Sequence, residues 1–142
     1  MALTNYSPDD IKANFDGIPI TGYAKGTFLQ GGRDEASFSA VVGSTGDVTR
    51  VQSLNKMGKI KFTLMQSSPT NALLSARMKL DEQLGTKTGP VLVQDLNGST
   101  FLHGAQAWIE KPADVGRADE AQNTEWTIVV AELEIVAGSA TS

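Results

Sequence analysis

His103 is the only imidazole in the 142-residue chain, which has no cysteine. One histidine cannot build a His-rich zinc site, and without thiols there is no thiolate metal centre, cysteine nucleophile or disulfide framework. Lying between Leu102 and Gly104 on an expected strand, His103 reads as a surface or interface side chain. Glu132 and Glu134 are two apart on another expected strand and so point to one face. A catalytic carboxylate pair needs distinct environments to separate acid from base, which makes a solvated or channel-facing acidic row the better reading. No serine stands in Gly-x-Ser-x-Gly and no Walker-type loop is present. Gly22-Tyr23-Ala24-Lys25-Gly26 precedes no helix, so it lacks the N-terminus that cradles phosphate and reads as turn chemistry. Asp95 with Asn97 reads as a turn that bonds its own backbone, since a calcium loop needs many more oxygen ligands. The chain offers no catalytic, cofactor or metal set, and an enzyme is the class it fits least.

Charge narrows the partners. Twelve basic and 16 acidic side chains give a net charge of −4, and neither sign forms a long run. A general grip on nucleic acid needs clustered Lys and Arg, which are missing. Met1-Ala2-Leu3-Thr4-Asn5-Tyr6 has neither the basic nor the apolar region of a signal peptide. No apolar run approaches the ~20 residues that cross a bilayer, so no membrane anchor is expected. The expectation is a soluble protein folded in a reducing cytoplasm as one domain spanning 1–142.

The elements are punctuated clearly in places. Lys59 to Gln66 alternates, with Ile60, Phe62 and Leu64 on one face, as a half-buried strand does. Ser68 is the expected N-cap of a helix with Pro69 in its first position, running to about Leu84 and stopping at Gly85. Leu73, Ala76, Leu80 and Leu84, widened by Leu74 and Met78, form its expected buried stripe, leaving Arg77, Lys79, Glu82 and Gln83 for water. Asp81 and Glu82 sit at the unfavourable end of the helix dipole, a cost of ~0.3 to 1 kcal/mol each if exposed, for which the sequence offers no local explanation and an intermolecular partner is one candidate.

Ile11 to Phe15 and Ile18 to Thr21 read as an opening hairpin with Pro19 at an edge. Gly22 to Leu29 reads as extended, Gly31-Gly32 as a turn and Ala36 to Val42 as a strand. Residues 43–58 are expected to form a protruding hairpin or long loop. Pro90 to Leu96 and Ser99 to Ile109 flank Asn97-Gly98, a strong two-residue hairpin signal. A second long loop is expected at 110–123, a continuous strand from Glu125 to Val136, and a mobile tail at 137–142. Trp108 and Trp126 could anchor an interface or fill the core, and an aromatic content of 6% favours the core. The expected fold is mainly β with one α-helix, a β-sandwich or partly closed barrel.

Several collinear segments carry a family resemblance: Tyr6-Ser7-Pro8-Asp9-Asp10, Gly22-Tyr23-Ala24 with Gly26-Thr27-Phe28, Gly46-Asp47-Val48-Thr49-Arg50, Leu64-Met65-Gln66-Ser67-Ser68-Pro69-Thr70-Asn71, Pro90 through Gly98, and Ala107-Trp108-Ile109. Together they resemble the small tail tube proteins of contractile-tailed bacteriophages, whose relatives include contractile bacteriocin tubes. The resemblance implies hexameric rings whose strands join an intersubunit β-barrel, stacked into a tube inside a sheath, with DNA passing down the lumen without specific binding. It implies a virion tail protein assembled in the host bacterial cytoplasm, with no cofactor. The two long loops become candidate ring or stacking contacts, through Asp47, Thr49, Arg50, Gln52, Asn55 and Lys56 in the first and Arg117 in the second. Glu132 and Glu134 are the candidate lumen-facing residues, since a conduit wall should be acidic or neutral toward DNA. Lys59 and Lys61 fit that wall only if they face outward or are paired. Alternatives are a bacteriocin or secretion-system tube, and a monomeric β-sandwich binding module. The module needs an exposed aromatic platform, whereas Tyr6, Tyr23, Trp108 and Trp126 are scattered over expected buried or turn positions.

Overall fold

The computed structural model describes residues 3, 5–85 and 87–138. The chain opens with a 3-10 turn at Pro8–Asp10 and a hairpin, β1 (Ile11–Phe15) and β2 (Ile18–Ile20). Asp16 and Gly17 join them with φ of 50° and 84°, the geometry of a two-residue hairpin whose twist matches its strands. β3 (Leu29–Arg33) follows, then β4 (Phe38–Val42), β5 (Val48–Gln52), β6 (Gly58–Met65) and helix α1 (Thr70–Leu84). β7 (Gly89–Asp95), β8 (Phe101–Ile109), β9 (Asn123–Val130) and β10 (Glu134–Val136) complete the described elements.

Eight strands form one antiparallel sheet in the order β2-β1-β7-β8-β9-β6-β3, with β10 also on β8. β9 pairs with β6 along eight residues but with β8 only through Ala107–Val130, Trp108–Val129 and Ile109–Ile128. At that short seam the sheet bends, and the two halves share one core. Ala13, Phe15, Val91 and Val93 from one half meet Ile60, Phe62, Leu64, Trp126 and Ile128 from the other. Full burial of each large side chain contributes roughly 1.5 to 3 kcal/mol. The fold is therefore mainly β with one α-helix, but among the described residues no sheet closes into a barrel, and β2 and β3 end the strand order. β4 and β5 form a separate two-stranded sheet.

The cap and helix lie close to their expected place, with a different division of labour. Pro69 is the N-cap, while Ser68 Oγ accepts from Thr70 N at 3.3 Å and donates to Thr21 O at 2.6 Å. Thr70 Oγ1 donates to Pro19 O and accepts from Thr21 N, both at 3.1 Å, so the helix start is stapled to β2. Gly85 ends the helix with φ 71°, as expected.

Of the expected stripe only its widening residues, Leu74 and Met78, face the core. Thr70, Leu74 and Arg77 are buried with Met78 packed on the core, whereas Leu73, Leu80 and Leu84 are 47%, 37% and 57% exposed. Arg77 leaves water because Asp16 Oδ2 sits 2.9 Å from its Nε, on the turn between β1 and β2.

Three other expectations change. Gly31-Gly32 lies inside β3, paired with Ile60 and Lys59, and position 31 needs glycine because a Cβ there would come within 2.5 Å of Leu102 Cδ2. The expected strand from Glu125 to Val136 breaks at 131–133, where Leu133 turns into the core and its N–H donates to Lys56 O at 2.9 Å. Asn97 and Gly98 do not form the two-residue turn, since neither takes the positive φ it requires. The connection is residues 96–100, and Asn97 N donates to Asp95 Oδ1 at 2.9 Å as the self-bonding turn anticipated.

The buried Asn97 side chain also accepts from Ser7 N and donates to Ser7 O, both at 2.8 Å. Asn97→Ala is expected to cost about 1 to 3 kcal/mol by leaving buried backbone groups unmatched, read as a lower denaturation midpoint. Limited proteolysis should then cut near Ser7 first. Of the expected mobile tail, 139–142 lie outside the described residues, and Gly138 is tied by hydrogen bonds in both directions to Thr100 Oγ1.

Candidate assembly surfaces

The β4-β5 arm is exposed at every one of its strand positions. Alternation places Phe38, Ala40 and Val42 with Val48, Arg50 and Gln52 on one face, and Ser39 and Val41 with Thr49 and Val51 on the other. Val42 and Val48 are register partners, each 66% exposed, and Val41 is 59% exposed. A lone two-stranded ribbon is marginal in water, and apolar side chains on both faces call for cover. Arg50 already covers part of one face, with its guanidinium carbon 3.7 Å from the Phe38 ring centroid. Asp47 shapes the arm's tip, where its backbone oxygen accepts from Gly43 N at 2.7 Å and its carboxylate from Thr45 Oγ1 at 3.2 Å.

The arm's base is fixed to the sheet. Arg33 Nε donates to Leu133 O at 2.9 Å and Nη1 to Ser37 Oγ at 3.3 Å, while Nη2 lies 3.7 Å from Glu134 Oε2. Asn55 Oδ1 accepts from Met57 N at 3.0 Å, and Lys56 stands beside it at the point where Leu133 docks. The structure thus brings Asp47, Thr49, Arg50, Gln52, Asn55 and Lys56 onto one arm and its base. Arg117 is apart, in the loop 110–122, near Asn71, Ser75 and Trp126.

Glu132 and Glu134 do not share one regular strand. Glu132 lies in the bend, and Glu134 is on β10 with Arg33 as its ion-pair partner. Lys59 and Lys61 both have carboxylate partners, Glu110 at 3.3 Å and Glu125 at 2.8 Å. His103 is exposed on β8, in edge contact with Phe101 at 6.1 Å between centroids. Among the described residues no group of His, Asp or Glu is arranged to hold a metal ion. Trp126 is buried, its Nε1 donating to Asn71 Oδ1 at 3.0 Å, whereas Trp108 is only half-buried.

Sequence reasoning missed the helix flank as a surface. Leu73, Ala76, Leu80 and Leu84 lie about a quarter-turn from the buried stripe. Their periodicity was legible, but not which of two adjacent apolar arcs the sheet would cover.

Tyr23 stacks against Phe28 at 4.6 Å, and its hydroxyl oxygen is buried without a hydrogen-bond partner among the described residues. Burial pushes its pKa up from 10.0 to about 12. The native state keeps this proton where the unfolded chain releases it, so stability is unaffected below pH 10 and declines from there towards 12. In a Tyr6→Phe protein, which isolates Tyr23, tyrosinate absorbance is expected only near pH 12 or together with alkaline unfolding. Its appearance with an ordinary midpoint in the folded protein contradicts this.

No family model matches the chain, and no curated protein matches it by sequence. Its fold does recur in solved structures. A chain in the cryo-EM structure of the anti-feeding prophage cap, the AFP tube terminating cap, superposes with a TM-score of 0.59 at 6% identity, covering 99% of this chain and 95% of that one. A chain in the cryo-EM structure of the PVC sheath/tube terminator, from an extracellular contractile injection system in its extended state, gives 0.61 at 8% identity and covers 96% and 100%. At such identities the likeness is one of fold, and it runs the length of both chains.

Proposed function

We propose that this chain is a structural tube subunit of a contractile injection machine. Copies form hexameric rings that stack into the inner tube of a phage-type contractile tail, surrounded by a sheath, and the lumen passes DNA without binding it. The observation that carries the reading is the arm, a ribbon with large apolar side chains exposed on both faces. The fold likeness to chains from tube-terminating assemblies indicates which kind of assembly to expect. The open edge at β3 is available for pairing between neighbours, which would remove an edge a small sheet otherwise leaves open to aggregation, whereas the β2 edge is already taken by Ser68 and Thr70 at the helix start.

Size-exclusion chromatography with light scattering tests this directly. Rings or stacked species growing with concentration support it, and a persistent 15.0 kDa monomer opposes it. A second reading follows from the matched structures, both of which are tube terminators: the chain caps a tube instead of extending one. Tubes of indefinite length favour the subunit reading, and single rings that never stack favour the cap.

A further inference from the structure

The outer face of β3, β6 and β9 is largely polar and carries two ion pairs. Ile60, Phe62, Leu64, Trp126 and Ile128 point into the core, so alternation leaves Lys59, Lys61, Thr63, Glu125 and Thr127 outside, with Gln30 and Gly32 beside the lysines in register and the covered Val129 opposite Lys59. The arm, the helix flank, β7 and β10 all expose large apolar side chains, including Val42, Leu84, Leu92 and Val136. Among the described residues of this face only Met65, at one end, does so.

Assembly covers apolar patches and leaves polar faces wet. We propose that this face lines the passage of the tube, which rests on the tube reading above, and that its ion pairs silence it toward a polyanion such as DNA. Lys61 Nζ reaches diagonally across the strands to Glu125 Oε1 at 2.8 Å, and Lys59 Nζ reaches Glu110 Oε1 at 3.3 Å. Half-exposed pairs of this kind add little stability. Their effect is on the field, because an ammonium beside a carboxylate acts as a short dipole whose reach falls off faster than that of a charge. With screening over about 8 Å at physiological salt, phosphates passing the wall gain nothing from displacing their counterions. The wall therefore needs no acidic excess, and Glu132 and Glu134 are not required in it.

The test removes the carboxylates and keeps the lysines. Tubes of E110Q/E125Q are expected to hold a fluorescent single-stranded oligonucleotide in nuclease-protected form at least about tenfold more tightly than wild-type tubes at 50 mM salt, with most of the gain lost by about 200 mM. The swapped pair K61E/E125K stays neutral and K59Q/K61Q has no cation to offer, so neither should hold it. Negative-stain images are scored first. Wild-type protein that forms no tubes contradicts the tube reading itself, whereas equal retention by wild-type and E110Q/E125Q tubes overturns this inference alone. If E110Q/E125Q does not assemble, a map of wild-type tubes decides. Lys61 and Glu125 on the lumen support the inference, and their burial at a subunit contact or placement on the outside overturns it.

Discussion

Val42→Asp combined with Val48→Asp is expected to abolish assembly while leaving the subunit folded. The two residues face each other across the arm, each 66% exposed, and none of the arm's strand residues contributes to the core. The core of the isolated subunit therefore keeps all its contacts, and the repulsion of the two carboxylates falls on the arm alone. In the assembly, burying a carboxylate where a valine packed costs several kcal/mol per site unless a cation meets it. Two adjacent carboxylates repel each other as well, so ring or stacking affinity should fall by at least about a hundredfold, close to 3 kcal/mol. Circular dichroism should show an unchanged fold and a melting temperature close to that of the wild type. Chromatography and negative stain should show monomers only. A variant that still forms wild-type rings and tubes removes the arm from the account.

Trp126→Ala is expected to cost about 3 to 5 kcal/mol, the range for deleting a buried aromatic ring. The indole is 2% exposed, opposite Phe62 on β6 and beyond the end of the short β8–β9 seam, and its Nε1 tethers the helix through Asn71. Against a total stability of roughly 5 to 15 kcal/mol, that loss brings the domain near its threshold and lowers its melting temperature by about 10 to 20 °C. Trp126→Phe keeps most of the buried ring but leaves Asn71 without its donor, which should cost about 1 to 2 kcal/mol. Denaturant titration of both variants separates packing from tethering. A Trp126→Ala loss below about 1 kcal/mol would mean the core does not close around this ring.

What the sequence made legible was local. The strand through Leu64, the helix that follows it and its glycine stop are written in adjacent residues, and the structure keeps them with the N-cap one position later. The helix's buried face was legible only through Leu74 and Met78, because Leu73-Ala76-Leu80-Leu84 and Thr70-Leu74-Arg77 are both periodic. The choice depends on Asp16, 61 positions from Arg77 in sequence. The break in the last strand carries no local mark either, since alternation continues through Ala131-Glu132-Leu133. The bend exists because Leu133 enters the core beside Gly58, where a Cβ would come within 2.5 Å of its side chain. That bend also removes the common face expected for Glu132 and Glu134. Lys59 and Lys61 were recognised as a row needing partners, and the partners Glu110 and Glu125 come from elsewhere in the chain. The span 43–58, expected as a protruding hairpin or long loop, holds β5, whose partner β4 lies upstream, so the arm's apolar faces depend on a pairing that this span alone does not contain.

The central claim is that this subunit is incomplete alone, and cryo-EM of the purified wild-type protein at rising concentration tests it most directly. The account predicts symmetric rings or stacked tubes whose map places the β4-β5 arm of one copy against a neighbouring copy. Particles that remain single subunits at every concentration, with the arm free in solvent, would contradict it.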